Sequence, residues 1–351
     1  MSVTIKHIAE RTGLPAPTVG GVLGRTPGRY SEKTRRLVME AARVMGYRTN
    51  ASARAMRNGR TGCVALILSR SHLSRLSHIP AGLLDGLNDE LAKHNVHLSV
   101  SLLIDQQLSD DFVPQVLSEY VADGMLVNYT HEMPPRMLEL IRAHHSPVVW
   151  LNTKAEADCV YPDDFGGAVS VTKALIAQGH RRIALVHLIS PYLFPGLTID
   201  DFRNRQHYSV GDRIAGYTAA MSGAGLSPRV AYMDRTVPDK DVVPSCVALL
   251  SGPDRPTAVL LYSVNEIAGV MLAAERLRIS IPADLSLLHF GPADLHVGGI
   301  HVPCVPVPTE QVGRKAVRML LKKIESPSEA CPPAVVAYDQ VRIDGIIAPV
   351  G

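Results

Sequence analysis

The sequence predicts an α/β protein with a separate all-α segment at its N-terminus. From about Arg60 onwards, apolar strand patterns alternate with amphipathic helices, and such alternation predicts parallel sheets covered by helices. The first 48 residues instead show three short helical patterns. With 351 residues, 46% of them hydrophobic, and a formal net charge of only +3, the chain is long and apolar enough to fold into two or three domains.

Composition argues against membrane and secreted proteins. The longest clearly apolar runs, such as Cys63–Leu68, are far shorter than the roughly 20 residues of a spanning helix, so we expect no membrane partner. Residues 1–10 lack the apolar segment of a signal peptide. Five widely separated cysteines do not suggest a disulfide framework. We therefore expect a protein of the reducing cytoplasm.

Charge is concentrated at the N-terminus. Residues 1–60 carry a net charge of +9, whereas the rest of the chain carries −6. A small cationic segment on a mildly acidic body predicts a polyanionic partner for that segment. The alternative is a basic surface that only keeps the protein in solution.

Three capped helices are predicted in this segment. Thr4 precedes Ile5 and Ile8 and is expected to cap the first helix, which Gly13 ends. Because His7 stands where a capping box needs an acid or amide, we expect no capping box. Ser31 caps the third helix, and the second contains Thr18, Val19, Val22 and Leu23. A short helix, a glycine-containing turn and another helix predict a helix-turn-helix, whose second helix enters the major groove.

The N-terminal motifs resemble the headpiece of the LacI/GalR family of transcriptional regulators. They are Val3–Ala9, Gly13, Thr18-Val19, Val22-Leu23, Ser31–Arg35 and Gly46-Tyr47. The resemblance implies a helix-turn-helix over residues 1–48 and a hinge helix or linker over 49–60, with Met56 as an apolar wedge in the minor groove. A flexible linker is the alternative for 49–60. The implied DNA contacts are Thr4, Ala16, Pro17, Thr18, Gly20, Gly21, Arg25, Ser31, Thr34, Asn50, Ala53, Arg54 and Met56.

The headpiece departs from the family at the positions that usually contact DNA. Family members usually carry Ser at the position of Pro15, Ser-Arg at Gly20-Gly21 and Asn at Gly24, and the Arg reads bases. Each glycine also lowers helix propensity by about 1 kcal/mol relative to Ala. Two interpretations follow. Either the second helix forms on DNA and specificity relies on the hinge and on DNA shape, or sequence-specific binding has been lost.

The body alternates strands and helices twice, before and after about residue 162. Strands are predicted over 64–68, 96–103, 124–127, 148–151, 183–187, 258–262 and 285–290. Helices are predicted over 81–94, 112–122, 135–144, 166–178, 212–224, 240–251, 265–277 and 310–325. Two similar lobes are therefore expected, and ligands of such sheets bind beyond the carboxyl ends of the strands.

The body also resembles the family, through Asp163-Asp164 with Gly167, Gly179–Ala184, Arg213 with Gly216-Tyr217, and Ile281–Ser286. This implies a two-lobed periplasmic-binding-protein-like core over 61–351, for effector binding and dimerisation. The first lobe is expected over about 61–161 and 292–325, and the second over about 162–291 and 326–345. Residues 185–210 run longer than is usual in the family and are expected to form a lid or a dimer-surface insertion.

The resemblance also indicates where an effector would bind. Arg213, Asp163 and Asp164 match the family's charged ligand groups, but Ser263-Val264 and Gly291-Pro292 replace two usual polar ones, so an ordinary hexose held by that set is doubtful. Replacement groups are predicted near the strand ends. The predicted effector-binding residues are His78, Asn128, Asp163, Asp164, Arg213, Tyr262, Ser263 and Phe290.

The sequence predicts no enzyme, cofactor or metal site, since it lacks a P-loop, a nucleophile elbow and zinc-binding spacing. We expect a homodimeric regulator, and a repressor is the family's commoner form. Its expected partners are a pseudo-palindromic double-stranded DNA operator and a small-molecule effector, sugar-like or another polar metabolite. The alternative is a sensor of the same fold that no longer recognises specific DNA.

Overall fold

The computed structural model describes residues 3–24, 29–47, 59–70, 79–104, 122–128, 135–143, 146–189, 207–234 and 242–339. The chain divides into two compact units, Met1–Gly62 and Cys63–Gly351. No helix in the described ranges is long and apolar enough to cross a bilayer.

The first unit contains three helices, α1 (Ile5–Thr12), α2 (Ala16–Leu23) and α3 (Glu32–Val44). Thr4 caps α1, Gly13 ends it at φ 70°, and Ser31 caps α3, all as predicted. The expectation that α1 lacks a capping box is wrong. His7 Nδ1 accepts a hydrogen bond of 3.2 Å from the backbone N–H of Thr4. An imidazole nitrogen is therefore the acceptor at the position where a carboxylate or amide is usual.

The three helices enclose a small apolar core. Ile8, Val19 and Val38, one from each helix, are fully buried, and Val22 and Ala42 complete the buried set. Tyr30 and Tyr47 pack against this core from outside the helices. The helix-turn-helix therefore has the buried contacts that it needs to hold α2 in place.

The second unit begins with a six-stranded parallel sheet in the order β13-β5-β4-β3-β1-β2. Its strands are β1 (Cys63–Arg70), β2 (His97–Ile104), β3 (Gly124–Asn128), β4 (Val148–Leu151), β5 (Cys159–Pro162) and β13 (Ala334–Val336). Its helices include α4 (Ala81–Lys93), α5 (Pro135–Ala143) and α10 (Thr309–Glu325). Leucine and valine side chains of α4 and α10 form one core with this sheet, which we call the first lobe.

A five-stranded parallel sheet forms the second lobe, in the order β12-β9-β8-β6-β7. Its strands are β6 (Ile183–Ile189), β7 (Arg229–Asp234), β8 (Ala258–Leu261), β9 (Ser286–Gly291) and β12 (Cys304–Pro306). Helices α6 (Asp164–Ala177) and α7 (Tyr208–Gly223) pack on one face, and α8 (Val243–Leu250) and α9 (Ile267–Arg276) on the other. A hairpin of β10 (Leu295–Val297) and β11 (Ile300–Val302) lies outside this sheet.

Strand pairing differs from the expected lobe limits at two places. We expected 292–325 in the first lobe, but β12 pairs with β9 of the second sheet. We expected 326–345 in the second lobe, but β13 pairs with β5 of the first. The chain leaves the second sheet only after Pro306, and α10 then carries it to the first lobe because its apolar side chains pack into that core.

Candidate functional site

One side of helix α2 is apolar and buried, and the opposite side carries glycines and small residues. Val19 and Val22 point into the core, whereas Ala16 and Pro17 are exposed. Thr18 is the one hydrogen-bonding side chain among its eight residues, and Gly20 and Gly21 add none. Residues Ala16–Leu23 form one helix with Pro17 in its first turn, where a missing N–H is tolerated.

Three other predicted DNA contacts have local roles. Thr4 caps α1, and the Oγ of Ser31 accepts a hydrogen bond of 3.2 Å from the N–H of Thr34 at the start of α3. Arg25, Asn50, Ala53, Arg54 and Met56 lie outside the described residues.

The core of the second unit contains a buried ion pair at the predicted effector position. Arg213 on α7 contacts the Oδ1 of Asp164 through Nε at 2.8 Å and through Nη2 at 2.7 Å. Both side chains are more than nine-tenths buried. Arg213 also donates to the carbonyl of Tyr262 at 2.9 Å and to the hydroxyl of Tyr338 at 3.3 Å.

Aromatic rings enclose this ion pair. The guanidinium carbon of Arg213 lies 4.2 Å from the ring centre of Phe290 and 4.7 Å from that of Tyr262. Burial alone would lower the pKa of Arg213, but the oxygens of Tyr338 and Asp164 outweigh it and raise that pKa. Arg213 therefore stays charged, and a flat cation between two rings is held in one orientation.

The site is positioned by strand ends. Asn128 ends β3, Asp164 follows β5 and Tyr338 follows β13 in the first sheet, while Tyr262 follows β8 and Phe290 lies near the end of β9 in the second. Carboxyl ends of parallel strands are where ligands of such sheets bind. The two sheets thus contribute polar and aromatic groups to one region.

A chain of hydrogen bonds crosses from the first lobe to the second. Asn152 donates to Asn128 Oδ1 at 2.9 Å, and the carbonyl of Asn152 lies 2.6 Å from His207 Nε2. His207 Nδ1 lies 2.7 Å from Ser209 Oγ, which in turn lies 2.7 Å from the Tyr262 hydroxyl. His207 Nδ1 accepts from the Ser209 N–H, so Nε2 carries the proton and donates to Asn152.

The structure brings Asp164, Arg213, Tyr262 and Phe290 together. Asn128 joins them through the hydrogen-bond chain. Asp163 instead caps α6 by accepting from the N–H of Gly166 at 3.0 Å, and Ser263 Oγ donates to Glu266 at 2.8 Å. His78 lies outside the described residues.

Three polar residues of this region were not among the predicted site residues: His207, Ser209 and Tyr338. Asn152, which directly follows β4, has φ 51°, a left-handed conformation that non-glycine residues rarely adopt. Tyr338 Oη donates to Asp164 Oδ1 at 2.6 Å, although 174 positions separate the two residues. The spacing of these two residues along the sequence does not predict their contact.

Two buried imidazoles lie near the ends of β6 and β9. Both ring nitrogens of His187 and of His289 are buried without a hydrogen-bond partner in the described structure. Burial lowers the pKa of His289 and keeps it neutral. The Tyr262 ring centre lies 4.5 Å from that of His187, so this imidazole adjoins the ion-pair site. Among the residues that the structure describes, no group of three or more His, Cys, Asp or Glu is placed to hold a metal ion.

Comparison with known proteins agrees with this architecture. The family model of a periplasmic binding protein-like domain matches residues 172–341. The HTH-type transcriptional regulator RegA of Clostridium saccharobutylicum is 26% identical over 356 residues, which cover 99% of this chain and 100% of RegA. The HTH-type transcriptional repressor PurR of Escherichia coli is 24% identical, with coverage of 93% and 92%.

Solved structures show the same fold. The lac repressor dimer bound to operator and the anti-inducer ONPF aligns with a TM-score of 0.71 at 18% identity, over 97% of this chain and 98% of that one. The CelR–cellobiose complex aligns with a TM-score of 0.62 at 22% identity, over 96% and 98%. The resemblance to LacI/GalR transcriptional regulators is confirmed. These alignments extend over both units, and the two relatives named here are transcriptional regulators.

Proposed function

We propose that this LacI/GalR-type chain is an effector-responsive transcriptional regulator, in the family's commoner mode a repressor. It binds a pseudo-palindromic operator as a homodimer and takes a small polar effector between the two lobes of its core. The observation that carries the proposal is the presence in one chain of a formed helix-turn-helix and a two-sheet core whose strand ends meet at Arg213 and Asp164. Because its partner is chromosomal DNA, the protein works in the cytoplasm.

Two features of the headpiece support DNA binding: its positive charge and its packed helices. Residues 1–60 carry +9, which favours contact with a polyanion. Capped helices and a buried core hold α2 without help from DNA. The LacI/GalR resemblance adds a dimer, and a two-fold protein imposes two-fold symmetry on its site.

The contacts in the core favour a small polar effector. They do not favour a hexose that binds directly to Arg213. All three guanidinium nitrogens of Arg213 already donate within the protein. Arg213 and Asp164 therefore organise the rings of Tyr262 and Phe290 and the hydroxyl of Tyr338. Effector contacts are then left to groups such as the buried Nε2 of His187, which has no hydrogen-bond partner among the described residues, whereas Nδ1 of the same ring lies 3.8 Å from Glu266 Oε1.

Competitive selection from a duplex pool with a randomised core tests the DNA part. Full-length protein at stated salt should enrich a pseudo-palindrome with two half-sites about one helical turn apart, or a multiple of it. Affinity should fall steeply as salt rises, because phosphate contacts release counterions. If no palindrome is enriched, the proposal of operator binding is wrong.

A second candidate is a sensor that has lost specific DNA binding, and the uncharged, glycine-containing α2 favours it. It predicts a steep salt dependence without any sequence preference, since only the basic surface would contact DNA. The selection experiment distinguishes the two candidates.

A thermal-shift screen of sugars, sugar acids and nucleosides tests effector binding to the core under either candidate, because a ligand at 100 times its Kd adds about 2.7 kcal/mol of stability.

A further inference from the structure

Tyr30 lies where the side chain of residue 21 would begin. A Cβ atom built on Gly21 would be 2.7 Å from Cζ and 2.8 Å from Cε2 of Tyr30, and it would overlap the hydroxyl oxygen. Tyr30 follows α2 in the chain and packs its ring against the headpiece core. Its hydroxyl therefore lies on the surface of α2 at a position that only glycine leaves open.

This position belongs to the face of α2 that is available to DNA. Gly21 lies four residues after the exposed Pro17, so the two share one side of the helix, while Val19 and Val22 occupy the buried side. The same side has no hydrogen-bonding side chain of its own, since Thr18 is the one such residue in α2.

Small residues on this face also allow a close approach. Ala16, Gly20 and Gly21 put little or nothing between the helix backbone and a partner. A group that reads bases must then sit at the helix surface rather than at the end of a long side chain. The Tyr30 hydroxyl is such a group, able both to donate and to accept a hydrogen bond.

We propose that Tyr30 is a specificity-determining residue of this regulator, and that its hydroxyl bonds a base edge in the major groove at the place where residue 21 has no side chain. This inference rests on the proposed operator binding. It differs from a purely structural role, in which Tyr30 would only fill the headpiece core with its ring.

The Tyr30→Phe variant separates these roles, because it keeps the ring and removes the hydroxyl. Full-length wild type, Tyr30→Phe and the matched control Tyr47→Phe, which loses a hydroxyl from the same headpiece, are each selected against the randomised duplex pool. Tyr30→Phe should lose preference at one symmetric pair of positions, with about three- to ten-fold weaker binding to the wild-type site. Tyr47→Phe should select the wild-type sequence.

A second variant, Gly21→Ala, displaces the hydroxyl while keeping Tyr30, and it should alter preference at the same base pairs. An unchanged consensus with Tyr30→Phe would overturn the inference, and so would an equal loss of affinity for all sequences, which would indicate a phosphate contact. If wild type itself enriches no sequence, the proposed function fails and not merely the role of Tyr30.

Discussion

Two glycines, at positions where the LacI/GalR resemblance implies a polar side chain, are each accompanied by a ring from a nearby residue. At Gly21 the ring is Tyr30, and at Gly291 it is His289, whose Cε1 would be 2.6 Å from an added Cβ. By the LacI/GalR resemblance, both positions usually carry a polar side chain. The chain therefore has not simply lost polar groups there, because a hydroxyl and an imidazole occupy the space that the glycines leave.

The glycine pair in α2 gives a direct test of this arrangement. A Cβ atom added to Gly20 would lie 3.8 Å from Ile5 Cδ1, which is an ordinary van der Waals distance. A Cβ atom added to Gly21 would overlap the Tyr30 side chain. Gly20→Ala should therefore stabilise α2 by up to about 1 kcal/mol, and Gly21→Ala should not. Amide hydrogen exchange of α2 in the full chain measures both. Equal protection in the two variants would contradict the packing of Tyr30 on Gly21.

Asp164 holds the buried Arg213, so its charge should be needed for stability. Asp164→Asn leaves the cation without its carboxylate and should lower the free energy of unfolding by about 3 kcal/mol. Asp163→Asn is the matched control, because an asparagine caps a helix as well as an aspartate does. Urea unfolding followed by circular dichroism compares them. A similar loss for both variants would show that the ion pair has no special role.

At the scale of elements, α4 and α10 are joined by a carboxylate that the core shields. Glu90 on α4 accepts from Arg318 Nε at 2.8 Å and Nη2 at 3.1 Å, and from Lys93 at 2.8 Å. Hydrogen bonds from Arg318 and then Lys93 lower the pKa of Glu90 to about 2, from an ordinary value of 4.5. Its stabilising effect is therefore complete above pH 4.5 and is lost as the pH falls towards 2.

Glu90→Gln should be less stable than wild type at pH 7, by about 1 kcal/mol since both cations are half exposed. The difference should shrink between pH 4.5 and 2, because wild-type Glu90 becomes protonated and loses the same interaction. Urea unfolding at several pH values measures it, with Glu275→Gln on the exposed side of α9 as control. A difference that stays constant with pH would rule out the ion pair as its cause.

Element prediction succeeded for the long amphipathic helices and for several apolar strands. The predicted strand 148–151 and helices 81–94 and 310–325 match the structure to within one residue at each end. The short strands β5, β12 and β13 were missed because three or four positions reveal no alternation by themselves, and the six-residue β7 was missed as well. The predicted helix 112–122 lies outside the described residues.

The candidate effector region was predictable only in part. Arg213, Asp164 and Phe290 could be selected because they match motifs of the LacI/GalR resemblance, and Tyr262 because it ends a predicted strand. Tyr338 could not, since it reaches Asp164 only after α10 and β13 have brought the chain back through the first lobe. Contacts made by such a crossover depend on the whole fold rather than on any local pattern.

At the scale of the whole core, polar contacts link the two lobes. Lys154, which follows β4, forms an ion pair of 2.5 Å with Asp212 on α7, and His207 Nε2 donates to the carbonyl of Asn152. A ligand that favours one arrangement of the lobes must act against or through these contacts. Their strength therefore sets how much differential binding energy an effector needs in order to change the lobe arrangement.

His207→Phe should loosen this link while keeping a ring beside Tyr208, whose centre lies 4.5 Å away. The variant loses the hydrogen bonds to Asn152 and Ser209, each worth about 1 kcal/mol, so the opened arrangement should become roughly thirty-fold more populated. Amide exchange in the Leu151–Lys154 segment should then accelerate by a similar factor, while β8 in the core stays protected. His94→Phe, an exposed change at the end of α4, serves as control. Unchanged exchange at 151–154 would mean that the lobes are held by their apolar and ionic contacts alone, and that His207 plays no part in the response to an effector.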